Sequence, residues 1–277
     1  MASATLNKLR RVARIQSRAA ANSIAMRLPE RPREAPYQGW VLAYPSRSIV
    51  GRAAADGLVW DPHLIEIVRD LPEGSLVCEV GSNIGASLLT MARVRADMRF
   101  LCFEPSPRFF PYLRQNVERN GLEDRVRAES LLVGPGGERW TLTSNTSTGS
   151  VVGGDYDRHI ATGEDELTAV SLDSRFAQGE DPTFLKIDTD GFELRVLRSA
   201  EETLRRSRPV VFTEYTPSLL ARVGDDPQAL PRFLASVGYT AADVYNGEGD
   251  LRERGHPLAE PLEVEGYVDL VVRPPAS

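Results

Sequence analysis

Short apolar runs recur along the chain from residue 75 onward, and segments of mixed polarity separate them. Runs of this length, rich in Val, Leu, Ile and Phe, predict buried β-strands. Seven strands are predicted, at residues 75–80, 99–104, 126–133, 183–188, 208–215, 239–246 and 267–273. Because helical segments alternate with them, we expect an α/β fold: a mostly parallel seven-stranded sheet with helices on both faces.

The predicted helices lie between these strands. Residues 86–96 and 109–120 have helical patterns, and Gly121 ends the second helix. Further helices are predicted from Phe192 onward and at residues 227–238. In such a sheet a ligand binds beyond the carboxyl ends of the strands, so the residues at those ends are the candidates for function.

Three segments have weaker patterns. Asp61 is predicted to be the N-cap of a short helix that has Pro62 in its first turn. The proline-rich segment 28–37 is interpreted as a linker. Residues 134–170 are irregular apart from a short hairpin arm at 137–145. We expect 134–170, together with segments 36–60 and 245–265, to build a pocket for a second ligand, in addition to the ligand expected at the strand ends.

Composition narrows the class of protein. The 277 residues are 42% apolar, enough for one large core. No apolar run approaches the ~18 residues of a membrane span, and the start of the chain lacks an apolar signal-peptide core. Cys78 and Cys102 lie in apolar runs and are expected to be buried free thiols, which suits a reducing cytoplasm. No Cys/His cluster has zinc spacing, and no metal site is predicted.

Charge divides the chain into two parts. Residues 1–35 contain eight Lys/Arg and two acidic residues, a balance of +6, so the remainder of a chain with net charge −6 carries −12. This acidic body argues against nucleic-acid binding. We therefore predict a basic helical extension with its linker at 1–36 and one domain at 37–277. The extension is interpreted as solvated, with a weak contact to a membrane surface or another subunit, or a transit peptide, as alternatives. The sequence does not indicate the oligomeric state.

The first strand end is the stretch VCEVGSNIGAS, in which Glu79 precedes a glycine turn. Gly81 and Gly85 allow a tight turn and a close approach of a ligand, and the following helix directs free N–H groups to the same space. Ser82 and Asn83 interrupt the G-x-G-x-x-G pattern of dinucleotide sites. An acid here suits a ligand with an ammonium group better than it suits pyrophosphate, and so favours a methyl donor over NAD.

Acidic residues also mark the other strand ends. Glu104 lies 23 residues after Gly81, where nucleotide-binding units place a carboxylate for the ribose hydroxyls. In TFLKID, alternation puts Lys186 and Asp188 on the same side of the strand, either as an ion pair or as ligand contacts. Glu214 ends the next strand.

Four pieces, VCEVGSNIGAS, FEPSPRFFPYLRQNVERNGL, LKIDTDGFELRVLRSA and VVFTEY, stand in this order. Together they resemble the FkbM family of S-adenosylmethionine-dependent methyltransferases, over roughly residues 55–215. The shared features are the glycine turn, Glu104-Pro105, the pair Asn116 and Asn120, and the Lys-Ile-Asp run. Asp190 stands where the family usually has Glu.

The resemblance implies a Rossmann-like class I methyltransferase fold with S-adenosylmethionine as cofactor. Glu79 and the turn from Gly81 to Gly85, including Ser82 and Asn83, would hold its amino acid end. Glu104 would hold the ribose, and Ser130 would border the adenine. Lys186 is placed with the cofactor-binding residues.

The resemblance further implies O-methylation of a small-molecule acceptor, a sugar or another natural product. A hydroxyl acceptor needs a base, for which Asp188 is the first candidate, Glu214 the second and His159 a third. Asp188 and Glu214 are also compatible with Mg²⁺, but no third ligand is evident. His63 is expected to be solvated. An NAD-linked oxidoreductase or epimerase, and a non-catalytic binding protein that retains the fold, stay open as alternatives.

Overall fold

The computed structural model describes residues 29–144, 149–152, 164–177 and 179–275. Most of the predicted basic extension and the candidate base His159 lie outside these residues, so their roles stay predictions. The strands are β1 (Pro32–Tyr37), β2 (Trp40–Pro45), β3 (Leu76–Val80), β4 (Arg99–Phe103), β5 (Val126–Glu129), β6 (Arg139–Ser144), β7 (Gly149–Val152), β8 (Glu164–Thr168), β9 (Phe184–Ile187), β10 (Val210–Tyr215), β11 (Ala241–Asn246), β12 (Leu251–Pro257) and β13 (Val268–Val272). The helices are α1 (Ile49–Ala55), α2 (Leu64–Arg69), α3 (Ala86–Val94), α4 (Phe110–Arg119), α5 (Leu172–Phe176), α6 (Glu193–Arg198), α7 (Glu201–Ser207), α8 (Pro217–Arg222) and α9 (Ala229–Ser236).

An eight-stranded sheet with the order β12-β11-β13-β10-β9-β3-β4-β5 forms the centre of the fold. The five strands from β10 to β5 are parallel, and β13, β11 and β12 pair antiparallel. The predicted mostly parallel sheet is confirmed, with β12 as an additional edge strand. The chain runs outward from β3 to β5 and then returns to β9 on the other side of β3. The order therefore reverses between β3 and β9, which is where a ligand site is expected.

Two apolar cores lie on opposite faces of this sheet. Because side chains alternate along a strand, Val77 and Cys102 face one core while Cys78 and Leu101 face the other. Both cysteines are free and buried, as predicted. Helices α2, α3 and α4 pack on the first face, and α6, α7 and α9 pack on the second. Within the described residues, no helix is long and apolar enough to cross a bilayer.

The interpretation of 28–37 as a linker is wrong for its second half. Residues Pro32–Tyr37 form β1, which pairs antiparallel with β2 across a turn at Gln38 and Gly39. The three prolines of segment 28–37 resemble a linker in sequence, but β1 is an edge strand, where a missing N–H is tolerated. The strand crosses the predicted domain boundary at residue 36, and the boundary itself stays a prediction.

Two asparagines of α4 fasten this hairpin to the body. The fully buried Asn116 accepts a hydrogen bond from the Ala43 N–H (2.6 Å) and donates to the carbonyl oxygens of Ala43 (2.9 Å) and Ile84 (2.7 Å). One turn later, Asn120 accepts from the Val41 N–H (2.9 Å) and donates to its carbonyl oxygen (2.9 Å). The two amides therefore serve β2 as a neighbouring strand would, and Asn116 also ties it to the turn after β3.

The segment 134–170 contains more regular structure than expected. The predicted hairpin arm is confirmed as β6, which pairs antiparallel with both β7 and β8. This three-stranded sheet is separate from the central one.

We predict that Asn116→Leu lowers the free energy of unfolding by about 2–4 kcal/mol, because it leaves buried backbone groups of Ala43 and Ile84 without partners. Urea denaturation measures the change. Asn120→Leu is the matched control on the same helix, and its partners are reachable by water, so about 0.5–1.5 kcal/mol is expected. Equal losses for the two variants would contradict the assigned role of Asn116.

Candidate active site

A cleft with about 1290 Å³ of empty space, its open mouth included, lies at the carboxyl ends of β3, β4, β9 and β10. Each of these strands contributes a lining residue: Gly81, Glu104, Asp188 and Glu214. The cleft thus spans the point where the strand order reverses, and it brings together most of the residues singled out from the sequence.

The glycine turn after β3 is required by packing. A Cβ on Gly81 would lie 1.9 Å from the carbonyl oxygen of Asp188, and a Cβ on Gly85 would lie 2.9 Å from Leu113 Cδ1. Both glycines and Asn83 have left-handed backbone, with φ of 86°, 85° and 48°. The turn can therefore press against the loop after β9, and Ser82 and Asn83 line the cleft beside it.

Glu104 is held by the glycine turn. One carboxylate oxygen accepts from the Asn83 N–H (2.8 Å) and the other from the Ser106 N–H (2.8 Å). A carboxylate has about four acceptor positions, so it can still accept from a ligand with two hydroxyl groups. Burial raises the pKa of Glu104 to about 7, although both backbone hydrogen bonds act to lower it.

An apolar wall follows β5. Leu131, Leu132 and Val133 line the cleft beside Glu104. Ser130, predicted to border the adenine, is exposed and is not among the lining residues. The strand ends at Glu129, and the three residues after Ser130 supply this wall. The role of Ser130 beside the adenine stays a prediction.

Glu79 lies beneath the floor of the cleft. It is fully buried, does not line the cleft, and accepts a hydrogen bond from the Ser87 hydroxyl at the start of α3. Its second neighbour is Lys186, whose Nζ lies 3.8 Å from Oε1. The side chain therefore links β3 to the start of α3 and to Lys186 in β9. Its contact with the amino acid end of a cofactor stays a prediction.

Lys186 is the buried cation of the site, with only 1% of its surface exposed. Its Nζ lies 3.0 Å from Asp188 Oδ2 and 3.4 Å from Asp61 Oδ2, and it does not line the cleft. Burial alone lowers the pKa of a lysine, but here Asp188, Asp61 and Glu79 outweigh it and raise the pKa. Of the two alternatives left open by the sequence, the ion pair with Asp188 is present, and Lys186 holds the acids of the floor in place. Its placement with the cofactor-binding residues stays a prediction.

Asp61 has a different role from the predicted one. Helix α2 begins at Leu64, and Asp61 has a φ of 49° that directs its carboxylate to Lys186. Burial raises its pKa to about 6, against the lowering effect of Lys186. The N-cap assignment is therefore wrong, and Asp61 is a lining residue that the sequence pattern concealed.

Glu193 organises the loop after β9. Its Oε1 accepts from the N–H groups of Thr189 (2.9 Å) and Gly191 (3.1 Å) and from the Thr189 hydroxyl (3.2 Å). Burial raises its pKa to about 7. The loop carries Asp190 into the lining of the cleft.

The other side of the cleft is acidic. Glu214 accepts from the Thr216 hydroxyl (2.8 Å), and burial followed by repulsion from Asp188 raises its pKa to about 8. Asp269, in β13, lines the same space, and only 5% of its surface is exposed. Sequence reasoning missed Asp269, although an acid inside the apolar run YVDLVVR was a usable signal. His63, expected to be solvated, is buried behind Asp269.

Two tryptophans reach the rim. Trp60 lines the cleft next to Asp61. Trp140 packs edge-on against Phe192, with the ring centroids 5.2 Å apart, and the Arg195 guanidinium lies 4.6 Å from the Trp140 centroid. Trp140 belongs to β6 of the separate sheet, which places that part of the sheet beside the cleft.

The FkbM methyltransferase domain model matches residues 79–241, more than half of the chain. The chain belongs to the FkbM methyltransferase family. The matched range begins at Glu79 and includes the glycine turn, Glu104, Lys186 and Glu214, so the resemblance identified from the sequence is confirmed. The sheet and its helices have the class I methyltransferase architecture expected for this family.

Relatives of this FkbM-family chain share shorter regions. The ribosomal RNA small subunit methyltransferase G of Frankia casuarinae is 32% identical over 104 residues, 35% of this chain and 39% of its own length. Methyltransferase 1 of Beauveria bassiana is 27% identical over 157 residues, 49% of this chain and 62% of its own length. A solved FkbM methyltransferase from Methylobacillus flagellatus has 13% identity and a TM-score of 0.47, covering 80% of this chain and 52% of its own. The chain thus spans about two fifths of the curated ribosomal RNA relative and under two thirds of the other.

Metal binding receives no support from the side chains that are described. No three His, Cys, Asp or Glu residues among them are arranged to hold an ion. The absence of a metal stays a prediction from the sequence.

We predict that Lys186→Met lowers the free energy of unfolding at pH 8 by about 3–5 kcal/mol, since it leaves buried carboxylates without a counter-charge. The loss should shrink toward pH 5, where those carboxylates can take up protons. Thermal and urea unfolding at both pH values measure it.

Arg206→Met is the control, because Arg206 pairs with Asp181 at the surface. No clear change in the free energy of unfolding is expected for it, because exposed ion pairs contribute little to stability. A loss at Lys186→Met that matches the control, or that does not depend on pH, would contradict the role of Lys186 as counter-charge.

Proposed function

We propose that this chain is an S-adenosylmethionine-dependent methyltransferase that methylates a hydroxyl group of a small-molecule acceptor, a sugar or another natural product. The observation that carries the proposal is that one cleft is lined both by Glu104 with the glycine turn and by Glu214. Glu104 and the glycine turn suit a nucleoside with an amino acid end, and Glu214 suits the removal of a proton.

The side of the cleft lined by Glu104, the glycine turn and the wall after β5 is called the cofactor half. Its residues match the chemical groups of S-adenosylmethionine. Glu104 keeps acceptor capacity for the two ribose hydroxyls, and Leu131, Leu132 and Val133 supply an apolar wall for a base. Ser82 and Asn83 at the glycine turn would hold the amino acid end. When bound, S-adenosylmethionine supplies an electrophilic methyl group on a sulfonium sulfur.

The side of the cleft lined by Asp61, Asp188, Glu214 and Asp269 is called the acceptor half. Glu214 is the better supported base there. Asp188, the first candidate from the sequence, is engaged by Lys186 at 3.0 Å. Glu214 has no cation at such a distance among the described residues, and its pKa of about 8 lies close to the pH at which a base works best. Its carboxylate would accept the proton of the acceptor hydroxyl group. Loss of this proton would make the acceptor oxygen a stronger nucleophile.

Charge favours a small acceptor over a nucleic acid. Asp61, Asp188, Glu214 and Asp269 all line the acceptor half, and the chain beyond residue 35 carries −12. A polyanion such as the RNA named for some relatives would be repelled there. Family membership disfavours the NAD-linked alternative, whereas a non-catalytic binding protein would share every feature of the cofactor half.

Ligand binding tests the cofactor half. S-adenosylhomocysteine at ~100 times its dissociation constant should stabilise the native chain by about 2.7 kcal/mol. Glu104→Gln should lose this shift, and Glu123→Gln, on the opposite end of the sheet, should keep it. Because hydroxyl donors favour the ionised carboxylate, affinity should rise from pH 6 to pH 8 through the Glu104 pKa of about 7. Stabilisation by NAD alone would refute the proposal.

Turnover tests the acceptor half. A panel of sugars and polyketide-like alcohols is incubated with S-adenosylmethionine carrying a labelled methyl group, and transfer is followed by mass spectrometry. Glu214→Gln should lower the rate about 10²–10⁴-fold and leave S-adenosylhomocysteine binding unchanged. In the native chain the rate should rise with pH through about 8, as Glu214 ionises. Binding without transfer to any acceptor would instead support the non-catalytic alternative.

A further inference from the structure

Two carboxyl groups face each other across neighbouring strands of the cleft. Glu214 in β10 and Asp269 in β13 are register partners in an antiparallel pair, and both line the cleft. Directly opposed residues project to the same face with Cβ atoms about 4.5–5.5 Å apart, and like charges in this position repel. Such a pair is expected to retain one proton at neutral pH.

His63 lies directly behind Asp269. Its ring is stacked between Phe212 and Tyr245, at centroid distances of 5.2 and 4.9 Å, and is 5% exposed. Its Nε2 lies 3.3 Å from Asp269 Oδ2. No well-directed hydrogen bond to either ring nitrogen occurs within the described part of the chain. The imidazole is therefore held between two aromatic rings, with the Asp269 carboxyl group close to Nε2.

The surrounding charges decide where protons reside. Six further titratable groups surround the pair. They are Asp61 before α2, Lys186 in β9, Asp188 and Asp190 in the loop after it, Glu193 at the start of α6, and Tyr267 just before β13. Burial, followed by repulsion from Asp61, Asp188 and Glu214, raises the pKa of Asp269. Burial, followed by Lys186, lowers the pKa of His63 to about 4. Both effects favour the neutral forms.

We propose that Asp269 and His63 are positioning residues for Glu214: Asp269 stays protonated and donates its hydroxyl hydrogen to Nε2 of neutral His63. The shared proton of the acidic pair is thereby held on the side away from Glu214. Glu214 is left as the carboxyl group that ionises and receives the acceptor's proton. This inference rests on the proposed function for its catalytic meaning, but the arrangement of the proton itself can be tested without turnover.

The imidazole tautomer tests the arrangement directly. If Asp269 donates, Nε2 of His63 is bare and Nδ1 carries the hydrogen, whereas an ionised Asp269 would require an Nε2–H donor. Nitrogen-15 NMR distinguishes these forms, and the chain has only three histidines. His256→Phe and His159→Gln remove the other two signals in turn, so the assignment needs no change at His63.

We expect the Nδ1–H tautomer for His63 from pH 6 to pH 8. Asp269→Asn should preserve it, because the side-chain amide also donates, and Asp269→Leu should release it. An Nε2–H tautomer, or an imidazolium at pH 7, overturns the proposal.

Activity gives the second readout. Because Asn imitates a protonated carboxyl group, Asp269→Asn should lower the methyl-transfer rate by less than about tenfold and keep the pH profile, against 100-fold or more for Glu214→Gln. His63→Phe keeps the stacking but removes the proton acceptor, so the rising limb of its pH profile should move. His256→Phe should leave it in place. A loss at Asp269→Asn as large as at Glu214→Gln would make Asp269 the base and overturn the proposal.

The two proposals fail in different ways. If the native chain transfers no methyl group, the proposed function fails while the tautomer measurement still reports on Asp269. If transfer occurs and Nε2 of His63 carries hydrogen, only the positioning role fails.

Discussion

A single buried cation holds the floor of this cleft together. Lys186 reaches carboxylates that belong to three separate segments: Glu79 in β3, Asp188 after β9 and Asp61 before α2. Isolated buried charges are costly, so none of the four groups is favourable without the others. The cation also lies 5.4 Å from the ring centroid of Phe212 in β10, so four elements meet around it. The positions of the strand ends, and with them both halves of the site, depend on this cluster.

The acids of the cleft separate into two kinds according to their donors. Glu104 and Glu193 each accept two backbone N–H groups, which favours the ionised form and fixes the carboxylate in space. Glu214 and Asp269 oppose each other and receive no backbone N–H within the described chain, so no backbone donor favours their ionised forms. Acids of the first kind suit the recognition of hydroxyl groups, whereas acids of the second kind suit proton transfer. Environment, and not residue type, thus assigns the roles.

Features that depend on interactions between residues close together in the sequence could be predicted, and features that depend on distant residues could not. Strand ends were readable because apolar runs and their flanking polar residues are local, and Glu104, Asp188 and Glu214 were found in this way. Asp61 and His63 were misjudged because their roles depend on partners more than a hundred residues away, in β9 and β13. Strand β12 gave no signal because nearly all of its residues are exposed.

The glycine turn shows how a family motif can be mistaken for a ligand contact. Gly81 has no room for a side chain because the Asp188 carbonyl occupies that space, so the glycine sets the distance between β3 and β9. The same turn supplies the Asn83 N–H to Glu104, and its Ile84 carbonyl accepts from Asn116. A larger residue at 81 would therefore displace Glu104, the loop after β9 and the N-terminal hairpin together. Close packing between strand ends, and not contact with a ligand alone, accounts for the small residues of this motif, and it makes the cofactor half and the acceptor half parts of one rigid framework.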